Sequence, residues 1–497
     1  MKQKIILLML LSMLMIQVKA QTIITLEQAL QMAEKGSPSL QSAMFSLQQT
    51  TESLNAQRAA LKSQFSLNLK PLDYSNTNQF DTRISQWYTN KNLSTNGTFQ
   101  VSQPILYTNG TISLSNQFGW QSNSSTDSKG NLSTNKSYFN NLSLNLSQPL
   151  FVYNSLKTQI KTTELNNENA LLNYQMQRLA LEKSVSQYFY NVYMAQMSLT
   201  IKQEELVNTE KSYEISKNKV EAGLAAQGEL YQSEVSLASS KSGVESARVS
   251  LENAKDQFKQ YVGIDIFEEI SVMTDIQVTP IEVDAKKALE HGLASRMELR
   301  QRQIRVETSQ FDMLPIQARN DFNGSMNLSM GLSGKNEVFA DILNNTTKSP
   351  RISLGFNVPI FDWGERKARI RAQEAVINSR KLDLSNQETQ IKMDIRQSIR
   401  NLGNMKNQIG LAQQNQKNSQ LTYDINLERY KNSDLTSMDL NLYQQQLSDK
   451  KMSYAQSLIN YKIELLNLKI QSLYDFTTNE AVVPEKFVKE YQSVNKK

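Results

Sequence analysis

The chain has 497 residues, 39% of them hydrophobic, with a mean hydropathy of −0.50, 17 glycines, 9 prolines and no cysteine. Such a composition favours long helices with narrow apolar seams over a thick globular core, and it excludes disulfides, thiolate metal sites and lipid attachment to an N-terminal cysteine. The net charge is +6, or +3 without the three lysines of residues 1–20, and this near balance without a basic, aromatic-rich face argues against a nucleic-acid partner.

Residues 1–20 are predicted to be a secretory signal peptide. Lys2 and Lys4 precede the apolar run Ile5–Ile16, and small residues lead up to Ala20. The run is shorter than the roughly 20 apolar residues that span a bilayer. We therefore expect cleavage after Ala20 and export of the mature chain.

Two related segments are predicted to be short helices. The first begins at Ile24, where Thr25 and Gln28 are spaced as a capping box, and the second begins at Val283, with Asp284 as N-cap. Leu30 corresponds to Leu289 with an offset of 259. These helices, around 25–64 and 284–317, are followed by strand-like sequence.

Apolar and polar residues alternate in the strand-like segments, and this period of two predicts an antiparallel sheet with one apolar face. The apolar face would contact either a protein core or lipid. We expect about four strands in the chain, and we interpret "QPIL" at 103–106 as part of an enlarged first hairpin. The alternating apolar residues are Phe65, Leu67, Leu69, Ile112, Leu114, Leu142, Leu144, Leu146, Met326, Leu328, Met330, Leu332, Ile352, Leu354, Phe356 and Val358.

Two strands are predicted to end in the same way. "LSLNLSQPLF" (142–151) and "ISLGFNVPIF" (352–361) lie 210 positions apart. Proline has no N–H to lose at the first position of a helix, and its fixed φ suits that position. Pro149 and Pro359 are therefore predicted to mark two strand-to-helix junctions.

Each junction is predicted to open a long helical hairpin. No further proline occurs between Pro149 and Ala222, or between Pro359 and Asn432. Apolar residues then recur with steps of three and four, and a second helix follows with apolar residues seven apart at Leu230, Leu237 and onward. Short connections make the two helices antiparallel. The periodicity alone would also suit a solitary soluble coiled coil.

The predicted fold class is therefore an internally duplicated α+β membrane protein, with long antiparallel coiled-coil hairpins and a small, shared transmembrane β-barrel. The boundaries are 1–20 for the signal peptide, 21–270 and 271–476 for the two structural repeats, and 477–497 for a C-terminal tail. About four strands cannot close a membrane barrel, so several copies must share one.

At this point the sequence resembles the TolC-like outer-membrane efflux channels over residues 22–476. The resemblance rests on "SQPLF" (147–151), "VPIF" (358–361) and the two stretches "KVEAGLAAQGELYQSEVSLASSK" (219–241) and "RYKNSDLTSMDLNLYQQQLSDKK" (429–451). It implies a homotrimer with a twelve-strand barrel in the outer membrane of a Gram-negative bacterium. It also implies that the long hairpins form a periplasmic α-barrel, a tunnel of twelve helices. It also implies a periplasmic adaptor and an inner-membrane pump as partners.

The resemblance also implies a gate at the hairpin tips. Asp439 falls on the acidic position of the second tip, Glu229 on the corresponding position of the first, and Tyr430 on a linking tyrosine. Two positions depart from the family pattern, with Leu442 in place of a second acidic residue and Ser433 in place of glycine. The alternative for Glu229 and Asp439 is ordinary helix N-terminal charge, which the helix dipole favours.

We expect no enzyme activity, cofactor or metal. His291 is the only histidine and has no Asp or Glu cluster beside it, so it suits packing better than metal binding. The predicted function is an outer-membrane export duct. The alternative is a periplasmic coiled-coil adaptor or scaffold without a pore.

Overall fold

A computed structural model describes residues 22–82, 85–126, 131–273, 278–344 and 346–482. The chain divides into two compact units: a helical unit (1–45, 172–300 and 385–497) and a sheet unit (46–171 and 301–384). The predicted signal peptide and residues 483–497 of the predicted tail lie outside the described residues. None of the described helices is long and apolar enough to cross a membrane.

Two long helical hairpins confirm the predicted duplication. Helix α3 (Ser155–Glu221) and helix α7 (Glu365–Lys431) each have 67 residues, and their partners α4 (Gln227–Val262) and α8 (Ser437–Ser472) each have 36. All four boundaries are displaced by 210 positions. Most of the predicted seam is buried in both hairpins, whereas Leu230 and Leu237 near the first tip are half-buried. Its buried members include Leu181, Val185, Val192, Ile391, Ile395, Leu402, Val244, Leu251, Phe258, Leu440, Leu447 and Leu468.

The short helices repeat with the second predicted offset. Helix α1 (Leu26–Gly36) and helix α5 (Ala285–Ser295) differ by 259 positions, and α2 (Pro38–Ala60) corresponds to α6 (Met297–Ala318). The predicted capping box is present, because Thr25 accepts from the backbone N–H of Gln28 and the Gln28 side chain accepts in return. Asp284 caps α5 as predicted.

The helical unit is centred on a core that joins both repeats. Strand β1 (Thr22–Ile24) pairs in parallel with β6 (Ile270–Val272), which places Ile24 beside the seam of the first hairpin. Phe258 is fully buried there and meets Phe189 edge to face at 6.1 Å between ring centroids. The chain ends its described part in the short strands β9 (Tyr474–Asp475) and β10 (Glu480–Ala481).

The described residues of the sheet unit form six strands, so the prediction of about four strands was wrong. Their order is β2-β3-β4-β5-β7-β8, and every neighbouring pair is antiparallel. The bounds are β2 Gln64–Asp81, β3 Gln86–Ile105, β4 Gly110–Thr126, β5 Leu132–Leu150, β7 Asn323–Asn336 and β8 Thr346–Asn357. A short 3-10 helix, Phe339–Asp341, lies between the last two.

The two extra strands explain why the two offsets differ. The start of β2 at Gln64 corresponds to the start of β7 at Asn323 with the offset of 259, whereas the helices after the sheet follow the offset of 210. The first repeat therefore carries 49 additional residues, which accommodate the hairpin β3–β4. "QPIL" lies at the end of β3, which confirms that it belongs to an enlarged hairpin.

The junction prolines do not begin helices, so that part of the prediction was wrong. Pro149 is the second-last residue of β5, opposite Ser325, and Pro359 lies between β8 and α7. The helix starts are capped by other side chains. Asn154 accepts from the N–H of Lys157, and the Asp362 carboxylate accepts from the N–H groups of Gly364 and Arg366.

The repeated Gln-Pro pairs instead fix the ends of strands. The Gln148 amide donates to the carbonyls of Thr108 (2.7 Å) and Pro149 (2.8 Å). The Gln103 amide makes the same pair of bonds to Leu61 (2.8 Å) and Pro104 (2.7 Å). Each glutamine thus ties the end of its strand to the preceding chain connection, at the edge of the sheet where the helices begin.

Glycine is required where the first hairpin ends. Gly263 follows α4 in the left-handed region with φ 84°, and a Cβ at this position would lie 2.5 Å from the carbonyl oxygen of Gly36. Gly263→Ala should therefore lower the midpoint of thermal loss of the helical circular-dichroism signal, because the strained backbone alone costs about 1 kcal/mol.

The matched control is Gly403→Ala, in the interior of α7, where a Cβ would meet nothing within 4 Å. Alanine favours a helix over glycine by about 1 kcal/mol, so its midpoint should be unchanged or higher. Equal midpoints for the two variants would contradict the assigned contact between Gly36 and Gly263.

Candidate functional site

The two hairpin tips have the same turn geometry. Helix α3 ends with Leu224 N–H donating to Lys219 and Gly223 at φ 73°, and helix α7 ends with Asp434 N–H donating to Arg429 and Ser433 at φ 68°. Ser433 therefore occupies the left-handed position that favours glycine. The turns return the chain directly into α4 and α8.

Tyr430 lies at the centre of the contact between the two hairpins. Its side chain is fully buried, and its hydroxyl lies 2.5 Å from Ser216 Oγ on α3, which in turn lies 2.6 Å from Ser233 Oγ on α4. The Lys219 ammonium donates to the Tyr430 carbonyl and lies 4.3 Å from the centre of the tyrosine ring. One tyrosine thus connects α7 to both helices of the first hairpin.

Burial dominates the electrostatics of Tyr430. It raises the pKa of the phenol above its usual value, opposed by the hydrogen bond with Ser216 and assisted by the negative charge of Glu229. Nearby on α7, burial raises the pKa of Tyr423 to about 12, with a smaller contribution from Asp424. Both phenols are therefore neutral hydrogen-bonding groups at physiological pH.

Glu229 and Asp439 lie in the first turns of α4 and α8, and both are half-buried. Asp439 accepts a hydrogen bond from the Thr436 hydroxyl at 2.7 Å, while its own N–H donates to Thr436. Helix α4 has Ala226 at the matching cap, without a side-chain hydrogen bond. Asp439 therefore stabilises a helix start through Thr436, whereas the charge of Glu229 contributes to the raised pKa of Tyr430.

Several polar side chains that the sequence did not single out also join the two hairpins. Asn441 donates to Ser236 at 2.7 Å, Asn208 donates to Gln444 at 3.0 Å, and Lys451 forms an ion pair with Glu204 at 2.6 Å. They accompany a small buried cluster, whose members are Tyr423, Tyr430, Leu440 and Leu447. Heptad spacing finds the apolar members but gives no signal for the polar ones.

The sheet has one apolar and one polar face, because the pairing of all six strands places the apolar positions of each strand opposite those of its neighbours. The apolar face carries the predicted residues except Val358, which lies beyond the end of β8. It also carries one aromatic and one aliphatic residue of β3, Phe99 and Val101. The predicted residues on this face are Phe65, Leu67, Leu69, Ile112, Leu114, Leu142, Leu144, Leu146, Met326, Leu328, Met330, Leu332, Ile352, Leu354 and Phe356. The opposite face is formed mainly by serine, asparagine, glutamine, threonine and glycine. This alternation is typical of strands with lipid on one side and water on the other.

Aromatic groups lie at both ends of the apolar face. Phe339 meets Phe118 at 5.5 Å and Tyr138 at 5.7 Å at one end, and Phe322 contacts Phe151 at 5.2 Å and Phe356 at 5.9 Å at the other. Along β5 the two ends are separated by about 12 residues. At roughly 3.3 Å per residue and a tilt of about 40°, this corresponds to about 30 Å, the thickness of the hydrocarbon core.

A family model described as outer membrane efflux protein matches residues 109–263 and 288–470, which together are more than half of the chain. The chain belongs to the outer membrane efflux protein family. It is therefore an efflux duct of the outer membrane with a large helical periplasmic part. The predictions of family, fold class and location are thereby confirmed. No curated protein sequence matches the chain.

Solved structures share the fold of this efflux protein at low sequence identity. The chain is similar to the CmeC outer-membrane channel of Campylobacter jejuni, with 15% identity, a TM-score of 0.70 and coverage of 94% of this chain and 89% of that one. The outer-membrane channel OprN is similar with 13% identity, a TM-score of 0.66 and coverage of 90% of this chain and 89% of that one. The outer membrane protein VceC of Vibrio cholerae is similar with 13% identity, a TM-score of 0.65 and coverage of 90% of this chain and 94% of that one.

The bonds around Tyr430 lead to a prediction about tip stability. Tyr430→Phe keeps the ring but removes the hydroxyl, so the hydrogen bond between Tyr430 and Ser216 is lost at a cost of about 1 kcal/mol, while the contact of Ser216 with Ser233 remains. Amide hydrogen exchange should accelerate several-fold in residues 212–236 and 426–444. Tyr231→Phe is the matched control, because Tyr231 is 60% exposed on the same tip, and it should leave exchange unchanged.

Proposed function

We propose that this efflux protein is a homotrimeric duct, which receives substrates from an inner-membrane pump through a periplasmic adaptor and releases them through the outer membrane. The observation that carries the proposal is the six-stranded sheet with an apolar face, continuous in sequence with two matched helical hairpins. Within the described parts of the chain, its two outer strands, β2 and β8, each pair on one side only.

The strand count supports a shared barrel. A barrel in a membrane needs at least eight strands, and an open strand edge in lipid leaves backbone N–H and C=O groups unpaired at several kcal/mol each. One chain supplies six. Several copies therefore contribute to one closed sheet, and three copies agree with the trimer that the family resemblance implies.

The alternative function, a periplasmic adaptor without a pore, has less support. A coiled-coil adaptor needs one hairpin and no lipid-facing sheet, whereas this chain has a duplicated hairpin and an apolar face with aromatic groups at both ends. Protein found entirely in the soluble periplasmic fraction would favour the adaptor.

The assembly is tested by mass. Protein extracted from outer membranes with detergent should have three times the mass of the processed chain, because six strands cannot close a barrel alone. Mass photometry or native mass spectrometry of the solubilised complex measures this. A stable detergent-soluble monomer would refute the proposed duct.

We further propose that Glu229 and Asp439 line the resting pore at the hairpin tips, with Tyr430 holding the two hairpins of each chain together. In a trimer the two carboxylates would recur three times around one opening. Negative groups in a confined opening attract cations and raise one another's pKa. The resting pore should therefore be cation-selective and blocked by trivalent cations from the periplasmic side.

This gate is tested with Glu229→Gln and Asp439→Asn, which keep the shape of both side chains and the acceptor for Thr436. The double variant should lose most of its cation selectivity and trivalent block in planar bilayers. Asp449→Asn, an exposed change further along α8, is the control and should retain both. If the double variant behaves like the control, the two carboxylates are helix-start charges only.

A further inference from the structure

The first repeat has an additional hairpin in its sheet that the second repeat lacks. Strands β3 and β4 occupy residues 86–126, in the region where the repeat offset grows from 210 to 259. The long helices show no such addition, since each repeat contributes one of 67 residues and one of 36. The sheet has therefore been enlarged by half while the helical part has not.

The outer strands of the sheet suit each other as partners between copies. Neighbouring strands alternate in direction, so with six strands β2 and β8 run in opposite directions. A copy placed beside the sheet would pair its β2 with β8 in the antiparallel manner found throughout the unit. The apolar residues at the two edges are 56–74% exposed, namely Phe65, Leu67, Leu69, Ile352, Leu354 and Phe356.

The stagger within one chain predicts the register of that pairing. A row of directly paired residues runs from Gln64, the first residue of β2, through Ser102, Ser113, Asn145 and Ser329 to Arg351 of β8. Strand β8 continues to Asn357, six residues further. The ends of the two outer strands nearest the helices are Gln64 of β2 and Asn357 of β8. If these ends lie opposite each other between two copies, the pairing is shifted by six residues relative to the row within one chain. Because six is even, apolar side chains stay on the same face.

We propose that β2 of one copy pairs with β8 of the next with Gln64 opposite Asn357 and Leu67 opposite Leu354, so that three copies close an eighteen-stranded barrel. The inference rests on the proposed trimer. Barrel diameter grows roughly linearly with strand number, so this barrel is about one and a half times as wide as the twelve-stranded barrel that the family resemblance implies. Barrels of this size leave an aqueous channel.

The wall of that channel is polar apart from Phe139 and has few charges. On the polar face of the paired segments 64–70, 94–102, 111–121, 137–147, 325–333 and 347–357, the charged residues are Lys70 and Arg351. The proposed register places these two side chains opposite each other across the contact between copies, with both exposed. Such a wall suits the passage of bulky hydrophilic solutes.

Cysteine cross-linking tests the register, since the chain has no cysteine of its own. Directly opposite residues have Cα atoms about 4.5–5.5 Å apart, within disulfide range. Asn68→Cys with Ser353→Cys, both on the polar face, should yield a covalent trimer after oxidation in outer membranes. The register control is Asn68→Cys with Ser349→Cys, four residues away, which should not cross-link.

A second pair distinguishes the eighteen-stranded barrel from a twelve-stranded one. If β2 and β3 lay outside the barrel, β4 would be the edge strand, and Ser115→Cys would cross-link with Ser353→Cys. We expect no product, because Ser115 is paired on both sides within its own chain. A trimer that gives the 115–353 product and not the 68–353 product would overturn the inference and leave the duct intact. Absence of a trimer would instead refute the proposed function.

Charge reversal provides a test that does not depend on disulfide geometry. Like charges directly opposite each other destabilise a strand pair, and opposite charges stabilise it. Arg351→Glu should therefore raise the temperature at which the trimer dissociates in detergent, and Lys70→Glu with Arg351→Glu should remove the gain. If Arg351→Glu lowers this temperature, Lys70 and Arg351 do not face each other.

The width is tested from the outer side of the membrane. Ser143→Cys places a thiol on the polar face, where the Ser143 hydroxyl oxygen lies 2.7 Å from the Ser115 hydroxyl oxygen on the neighbouring strand. Maleimide reagents on polyethylene glycol of increasing mass should label it in the full chain. Residues 82–130 number 49, the difference between the two repeat offsets. Their deletion should lower the mass of the largest polyethylene glycol maleimide that still labels the thiol. Equal size limits for the two proteins would contradict the wide barrel.

Discussion

The structure depends on one constraint, the pairing of backbone polar groups in lipid. Among the residues that the structure describes, strands β2 and β8 each leave one row of N–H and C=O groups without a partner, next to exposed apolar side chains. Water cannot satisfy those groups within hydrocarbon. The proposed closed assembly of several copies supplies partners for both rows. An even number of strands allows that closure to remain antiparallel throughout.

The helical unit is held together differently near its centre and at its tips. Near the centre, aromatic and aliphatic residues such as Phe189, Phe258 and Val185 are fully or almost fully buried. At the tips the apolar cluster is small, and much of the contact between the hairpins consists of hydrogen bonds around Tyr430 and Asn441. Water can replace such bonds at little net cost, because each contributes only about 1 kcal/mol. The tips are thus the part of the helical unit that can separate without exposing a large apolar surface.

The sequence predicts the helices far better than the sheet. Heptad spacing identifies Val185, Ile391 and Leu440, because a seam that faces a partner along its whole length repeats its signal many times. The strand signal is weaker, since both sides of a strand are polar outside the membrane. The stretch from Asn90 to Asn96 has one apolar residue, so the extra hairpin gave little period-two signal. The prolines misled for a related reason, because Pro149 suits a strand end as well as a helix start. At the tips, the family resemblance identified Tyr430, but the role of Ser216 and Lys219 depends on contacts between distant segments, which no local pattern encodes.

The two repeats diverge only where the physics permits it. Four long helices of one chain lie in two hairpins whose seams must stay in step, so an insertion in one helix would misalign every later heptad. Their lengths accordingly match residue for residue between α3 and α7 and between α4 and α8. A sheet has no such requirement. A whole hairpin adds two strands and returns the chain to the same end of the strands, so the antiparallel order is preserved. The 49 additional residues of the first repeat are therefore accommodated in the sheet, where they change the number of strands and leave the geometry of the helical hairpins unaltered.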